Sequence, residues 1–196
     1  MKMSGSQVIR APRKTVWRGL NDPKILQQCI PGCETIKAAS PTEMSAKVVL
    51  KVGPVKATFT GEVTLSDIKA PESYRISGKG QGGLAGFATG GATVKLTENS
   101  AIETLMDYDV DAQIGGKLAM LGSRLIDSTA KSLAEQFFTK FAGLMMKQAQ
   151  SSALVPKAKS AKKPAASTKA KKPTTKKPAS RKTRAKKKVP TKSRKP

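Results

Sequence analysis

Histidine is absent from all 196 residues of the chain. Its absence excludes Ser-His-Asp and Cys-His nucleophile systems, histidine-ligated metals and the most common general base of enzymes. Only two cysteines occur, Cys29 and Cys33, so there is no disulfide framework and we expect reduced thiols. A structural zinc site needs four ligands, and only carboxylates remain to complete one here, so we predict no metal.

Long apolar runs and aromatic side chains are scarce as well. No run of 18 apolar residues occurs, which predicts no transmembrane helix, and the first residues lack the apolar region of a signal peptide. The expected compartment is therefore the cytoplasm. Aromatic residues make up only 4% of the chain, so we expect most of them to be needed for the core.

Acidic residues are missing from the C-terminal quarter. Residues 151–196 contain 18 Lys and Arg and no Asp or Glu, whereas residues 1–150 contain 19 basic and 13 acidic residues. Lys, Pro, Ala, Ser and Thr dominate this segment, and such a composition cannot bury enough apolar surface to fold. We therefore predict one domain over residues 1–148 and a disordered basic tail over residues 149–196.

The charge of this tail suits two kinds of partner. Each basic residue near an anionic bilayer contributes about 1 kcal/mol of attraction, and nucleic acid phosphates attract the same charges in a salt-dependent way. Nucleic acid binding, as by lysine- and proline-rich histone-like tails, is thus the alternative to membrane binding. The clustered lysines predicted to contact a membrane are Lys162, Lys163, Lys171, Lys172, Lys176, Lys177, Lys186, Lys187 and Lys188.

The domain begins with a strand at residues 3–10 and two short helices. Pro12 suits the first turn of the first helix, and Asn21-Asp22-Pro23 ends it and caps a second helix over residues 24–28. From residue 44 to Ile114, apolar and polar side chains mostly alternate with a period of two. This alternation predicts about six strands of an antiparallel sheet with one solvated face.

Residues 115–147 read as one uninterrupted helix. Apolar or small side chains recur at steps of three and four, which places them on one stripe of an α-helix: Leu118, Leu121, Leu125, Thr129, Leu133, Phe137, Phe141 and Leu144. We therefore predict an α+β fold in which a curved antiparallel sheet wraps a long C-terminal helix.

Two motifs invite a functional interpretation. Residues 78–83 contain G-x-G-x-x-G, the pattern of a dinucleotide site. Such a site requires a helix after the motif, and the segment that follows has too many glycines to form one. We therefore predict a hairpin there, and its flexibility suits a gate over a cavity. Asp107, Asp109 and Asp111 lie on one face of a strand. Three interpretations of these carboxylates stay open. They belong to a solvated outer face of the sheet, they bind a cation or a basic partner, or they contact the basic tail when it folds back.

Several short strings resemble one protein family. They are Asn21-Asp22-Pro23, Cys29-Ile30-Pro31-Gly32-Cys33-Glu34, residues 51–57, residues 86–92, residues 109–118 and residues 121–127. In combination they resemble the CoxG family of carbon monoxide dehydrogenase subunits, and the order of elements resembles the helix-grip, START-like fold of the SRPBCC superfamily. The resemblance covers residues 1–148 and leaves the tail out.

The resemblance implies a non-enzymatic accessory protein without a covalent cofactor. Such a protein recruits a carbon-monoxide-dehydrogenase-type molybdenum enzyme to the inner face of the cell membrane. It holds an apolar small molecule in a cavity between sheet and helix, and a quinone (menaquinone or ubiquinone) is the expected ligand. Tyr74, Tyr108 or Thr104 would donate to a quinone carbonyl. The residues expected to contact the ligand are Trp17, Phe59, Val63, Tyr74, Ile76, Phe87, Met106, Tyr108, Leu121 and Leu125.

Overall fold

Seven antiparallel strands form a single sheet in the protein, whose computed structural model describes residues 1–153. The strands are β1 (Lys2–Ile9), β2 (Cys33–Ser40), β3 (Glu43–Val52), β4 (Val55–Lys69), β5 (Ser73–Gln81), β6 (Phe87–Ser100) and β7 (Glu103–Gly115). Their order across the sheet is β1-β7-β6-β5-β4-β3-β2. The six strands after the helices thus form the predicted meander, and β1 pairs with the last of them.

Two short helices, α1 (Arg13–Leu20) and α2 (Pro23–Cys29), connect β1 to β2. The predicted cap between them is present, because the Asp22 carboxylate accepts a hydrogen bond of 2.8 Å from the backbone N–H of Lys24. Pro23 occupies the first turn of α2, where its missing N–H costs no hydrogen bond.

The long helix α3 (Ser123–Ala153) corrects the prediction of one helix from residue 115. Residues Gly116–Leu121 form a separate 3₁₀ helix, and Gly122, with φ of 84°, ends it before α3 begins. An α-helix cannot pass through a positive φ, and Gly116 has one as well, at 75°. At its other end α3 continues to Ala153, beyond residue 148; the division into a domain and a tail stays a prediction. The nine clustered lysines lie outside the described residues.

The stripe of α3 faces the concave side of the sheet, as predicted. Phe141 is fully buried, and Leu125, Thr129, Leu133 and Phe137 are half-buried along it. The core divides into two clusters. The larger gathers α1, α2 and the C-terminal part of α3 over the sheet, and the smaller consists of Phe59, Ala85 and Leu118 with their apolar neighbours. The predicted helix-grip fold is therefore present.

Candidate ligand-binding cavity

A cavity separates α3 from the concave face of the sheet. It has two lobes, of about 340 Å³ and about 550 Å³, and both are bordered by Ile30, Ala46, Val63, Ala134 and Phe137. Because five residues line both, the lobes adjoin and these residues form the constriction between them. The smaller lobe extends towards the larger core cluster, and the larger lobe extends towards Phe59 and Leu118 in the smaller cluster.

The lining of the cavity is almost entirely hydrocarbon. Within the described part of the chain, no charged side chain lines either lobe. The smaller lobe has two polar side chains, the phenols of Tyr74 and Tyr108. The larger has only Thr129, whose hydroxyl already donates to the carbonyl of Leu125 at 2.7 Å. Such a cavity favours apolar molecules, because an unpaired charge would lose its hydration there.

Tyr74 is the most deeply buried polar group of the smaller lobe. It is 4% exposed, and its ring contacts Trp17 edge to face with 5.3 Å between ring centroids. Burial raises the pKa of the Tyr74 phenol far above its ordinary value. The phenol therefore stays protonated under physiological conditions, and a protonated phenol can donate a hydrogen bond to a carbonyl oxygen.

Tyr108 forms part of a thin wall. Its ring lies 5.0 Å from that of Phe138, centroid to centroid, and it covers Gly5 of β1, where any side chain would collide with the phenol. Tyr108, Ala134 and Phe138 line the smaller lobe on one side and a surface groove of about 230 Å³ between β1 and α3 on the other. One layer of side chains thus separates this lobe from the surface.

The family model of CoxG, a carbon monoxide dehydrogenase subunit, matches residues 5–144, which include most of α3 and all seven strands except the first residues of β1. The chain belongs to the CoxG family. Membership and the START-like fold together indicate a ligand-binding accessory protein, and the family connects it with carbon monoxide dehydrogenase. No curated protein matches the sequence.

Solved structures place this CoxG-family protein among START-like folds. A conserved protein from Geobacillus kaustophilus is 30% identical, with a TM-score of 0.71 over 76% of this chain and 97% of that one. A START superfamily protein from Mycobacterium smegmatis is 12% identical, with a TM-score of 0.59 over 75% and 98% of the two chains. The Zhui aromatase/cyclase from Streptomyces sp. R1128 is 11% identical, with a TM-score of 0.59 over 79% and 99%. The last two likenesses show the fold alone.

Six of the residues predicted to contact a ligand in this CoxG-family protein line the cavity. Five border the smaller lobe, and Phe59 borders the larger one, which Val63 borders as well: Val63, Tyr74, Ile76, Met106, Tyr108 and Phe59. Their strands alternate as the sequence predicts, so that these side chains share the concave face. Contact with a ligand stays a prediction for all six.

The aromatic rings of Trp17 and Phe87 do not line the cavity. Trp17 borders neither lobe, although Leu20 of the same helix α1 lines the smaller one, and its ring packs edge to face against Tyr74. Phe87 begins β6, is 43% exposed and covers Gly115, so its ring lies at the end of the sheet. Both residues have the alternation or spacing of core side chains. Such a pattern predicts that a side chain is buried, but it does not predict whether the side chain contacts the cavity.

Leu121, Leu125 and Thr104 are also outside the cavity. Leu121 packs against the smaller core cluster because the 3₁₀ helix, and not α3, carries it. Leu125 contacts the β3–β4 turn at Gly53. The hydroxyl of Thr104 is fully buried and donates to the carbonyl of Ala11 at 2.8 Å, so it is not a donor for a ligand.

Reasoning from the sequence missed several residues that complete the lining. Ile30 and Pro31 come from the Cys29–Cys33 string, and Ala134 and Phe138 come from α3. Ile30 and Pro31 belong to a string that resembles the family, but no periodic pattern predicts that they line the cavity. The stripe on α3 is wider than the spacing of Leu133 and Phe137 suggested, because each turn contributes two adjacent side chains to the buried face.

The two cysteines flank the turn that borders the cavity. Cys29 is buried and Cys33 is half-buried, and both thiols are free. Burial raises the pKa of Cys29, and the charge of Lys140 partly opposes this; burial also raises the pKa of Cys33, against a hydrogen bond with Thr35. Both thiols are therefore protonated at neutral pH. Among residues 1–153, no three His, Cys, Asp or Glu side chains come together as a metal site would require.

The two remaining motifs lie on strands of the sheet, and Gly80 of the glycine string also borders the larger lobe. The G-x-G-x-x-G string forms the end of β5 and the loop to antiparallel β6, so the hairpin prediction is confirmed and the gate stays a prediction. Asp107 accepts a hydrogen bond from Ser6, and Asp109 and Asp111 follow it along exposed positions of β7. None of the helices within the described residues is long and apolar enough to cross a bilayer.

Proposed function

We propose that this protein carries a quinone in its two-lobed cavity and brings a carbon-monoxide-dehydrogenase-type molybdenum enzyme to the membrane. The lining of the cavity supports the carrier role most directly, since two adjoining apolar lobes suit a long molecule with a polar end. A menaquinone or ubiquinone has carbonyl oxygens at one end and an isoprenoid chain at the other.

The distribution of polar groups suggests how such a ligand lies. The smaller lobe holds Tyr74 and Tyr108, which can donate to carbonyl oxygens, and it has the flat rings of Phe137 and Phe138 beside them. The larger lobe has no free side-chain donor among the described residues, because Thr129 is bonded within α3. We therefore place the quinone ring in the smaller lobe and its chain in the larger one.

A binding role fits this lining better than a chemical one. Among the described residues, neither lobe has a carboxylate, amine or thiol side chain, and histidine is absent from the whole chain. The Tyr74 phenol, whose pKa is raised by burial, can orient a carbonyl but is a poor proton acceptor at neutral pH. The proposed protein therefore holds the quinone and leaves its reduction to the partner enzyme.

Extraction from the native protein tests the carrier role. The full chain is purified without detergent from cells that make quinone, its ligands are extracted into organic solvent, and the extract is analysed by mass spectrometry. We expect one quinone for each protein molecule. An extract without quinone or lipid would refute the carrier role.

Vesicle binding tests recruitment through the tail. The nine clustered lysines are replaced with glutamine in the full chain, and nine exposed lysines of the domain, none of them Lys51, Lys56 or Lys117, are replaced in a matched control. We expect the tail variant to lose most of its binding to vesicles of 70% phosphatidylcholine and 30% phosphatidylglycerol, with unchanged quinone content, because each lysine contributes about 1 kcal/mol. If duplex DNA at physiological salt displaces the protein from these vesicles, the tail serves nucleic acid instead.

A further inference from the structure

Three large apolar side chains are exposed at one end of the sheet. Leu84 is 87% exposed, Met120 is 85% exposed and Phe87 is 43% exposed. Two of them lie on 3₁₀ segments, Gly83–Ala85 and Gly116–Leu121, so short loops and not a broad surface present them. Single exposed apolar residues are common, but three on adjoining segments call for an explanation.

Glycine contacts hold these segments together. A Cβ at Gly116 would lie 2.5 Å from the Cα of Gly86, so the two backbones touch where only glycine fits. A Cβ at Gly53 would lie 2.7 Å from Leu125, which places the β3–β4 turn beside the start of α3. We call the three segments together, residues 51–56, 83–87 and 116–125, the tip.

The tip is basic and has no acidic residue. Lys51, Lys56, Lys117 and Arg124 are exposed on it, and none of its residues is Asp or Glu. The described ion pairs of the domain involve other lysines and arginines. Exposed apolar side chains beside uncompensated cations are the composition that binds the interface of an anionic bilayer.

The tip also adjoins the larger lobe of the cavity. Val52 and Leu118, which belong to the tip, line that lobe, as do Leu50 and Ile126 just outside it. A surface that binds the tip is therefore within about one layer of side chains of the place proposed for the quinone chain.

We propose that the tip docks on an anionic bilayer, with Leu84 and Met120 inserted at the level of the lipid headgroups. The cations of the tip then lie against lipid phosphates, and the larger lobe faces the membrane. A protein partner fits less well, because a stable interface buries roughly 800 Å² on each side and three protruding side chains do not supply such an area. The presence of a quinone chain in the lobe rests on the proposed function. The docking surface does not, because it is inferred from the exposed apolar and basic residues of the tip.

Paired variants of the full chain test this docking. Leu84→Gln with Met120→Gln removes apolar surface from the tip. The control, Ile102→Gln with Met146→Gln, removes it from residues that are 74% and 41% exposed elsewhere. Ile102 precedes β7 and the tip follows it, so the 13 residues of the strand separate the two by roughly 40 Å. All four side chains are exposed, and we expect both variants to fold.

Partitioning is measured on vesicles of 70% phosphatidylcholine and 30% phosphatidylglycerol, in 0.1 M and 0.5 M KCl. High salt weakens the attraction of the basic tail and leaves apolar insertion. We expect the tip variant to lose roughly tenfold in partition coefficient, equivalent to about 1.4 kcal/mol, and the control to match the unmodified chain. Equal partitioning of all three proteins would overturn the docking proposal.

Depth of insertion gives a second, independent measurement. Leu84→Trp and Ile102→Trp are each compared with the parent chain, whose only tryptophan is Trp17, on vesicles with brominated acyl chains. Quenching of the added tryptophan at 84 and not at 102 supports docking, and equal quenching refutes it. If the tip variant keeps its vesicle binding but no longer co-purifies with the dehydrogenase, the tip is a protein interface and the proposal fails. Docking without an extractable quinone would refute the carrier role alone.

Discussion

Replacing Ala134 with leucine should make the empty domain more stable and abolish its capacity for ligand. Ala134 lies on α3 at the constriction and borders both lobes of the cavity. The larger side chain would fill space that is empty without ligand and close the passage between the lobes. A ligand that spans both lobes would then have no place to lie.

The size of the gain follows from the added carbons. Leucine adds three carbons to alanine, and each buried methylene contributes about 0.8 kcal/mol. Loss of side-chain rotamer freedom opposes this by roughly 0.5 to 1 kcal/mol, which leaves about 1.5 kcal/mol. For a domain of this size, we expect the melting temperature of the ligand-free protein to rise by about 3 to 6 °C.

The assay compares three proteins before and after organic extraction. Thermal unfolding gives the stability of each, and mass spectrometry of the extract gives its ligand content. The control is Ala142→Leu, two turns further along α3, where alanine lines the surface groove and neither lobe. We expect Ala142→Leu to keep its ligand, and Ala134→Leu to lose at least tenfold in ligand content.

One result would refute this reasoning directly. If Ala134→Leu melts at a lower temperature than the parent chain and still carries its ligand, the constriction has no spare space and the ligand does not pass it. The two lobes would then be separate voids, and the proposed position of the quinone chain would be wrong.

Three further experiments each test the surroundings of one or two residues. Tyr74→Phe should weaken the binding of an added quinone by roughly twofold to tenfold, the value of one hydrogen bond, in a fluorescence titration; an unchanged affinity would exclude this phenol as the donor. Burial raises the pKa of both thiols, but Cys29 is buried and Cys33 is only half-buried, so iodoacetamide should modify Cys33 faster in timed mass spectrometry at pH 8; faster modification of Cys29 would contradict its burial. Gly86→Ala forces a side chain at φ of 118° against a facing backbone carbonyl and should cost about 2 kcal/mol or more in urea unfolding. Gly143→Ala, inside α3 with open space around it, should gain up to about 1 kcal/mol, and equal effects at the two glycines would contradict both assignments.

The fold could be predicted because its elements have strong and different periods. Strand β7 alternates almost without exception, and the core stripe of α3 recurs at helical spacing, so the sheet and the helix follow from pattern alone. Residues 116–121 were mistaken for helix because apolar spacings of three suit a 3₁₀ helix as well as an α-helix. Gly116 and Gly122 were the available signal of a break, since glycine is the residue that adopts a positive φ without strain.

The candidate site could be predicted only where strand alternation decides it. Met106 and Ile76 face the cavity because every second residue of a strand does. The positions of Trp17 and Thr104 depend on contacts between distant parts of the chain, such as the bond from Thr104 to Ala11, 93 residues away. No local sequence pattern encodes such a contact. The residue types of Trp17 and Thr104 therefore predict contact with a cavity that neither side chain reaches.

The pairing of β1 with β7 also sets the order in which this domain can be completed during synthesis. The amino group of Met1 bonds to the carbonyl of Ala112, 111 residues later. At 5 to 20 residues per second, the first strand waits about 5 to 20 s on the ribosome for β7, its neighbour in the sheet. The helix that closes the concave face follows later still. The ligand therefore has no enclosed space to enter until nearly the whole domain has emerged, and loading must follow translation.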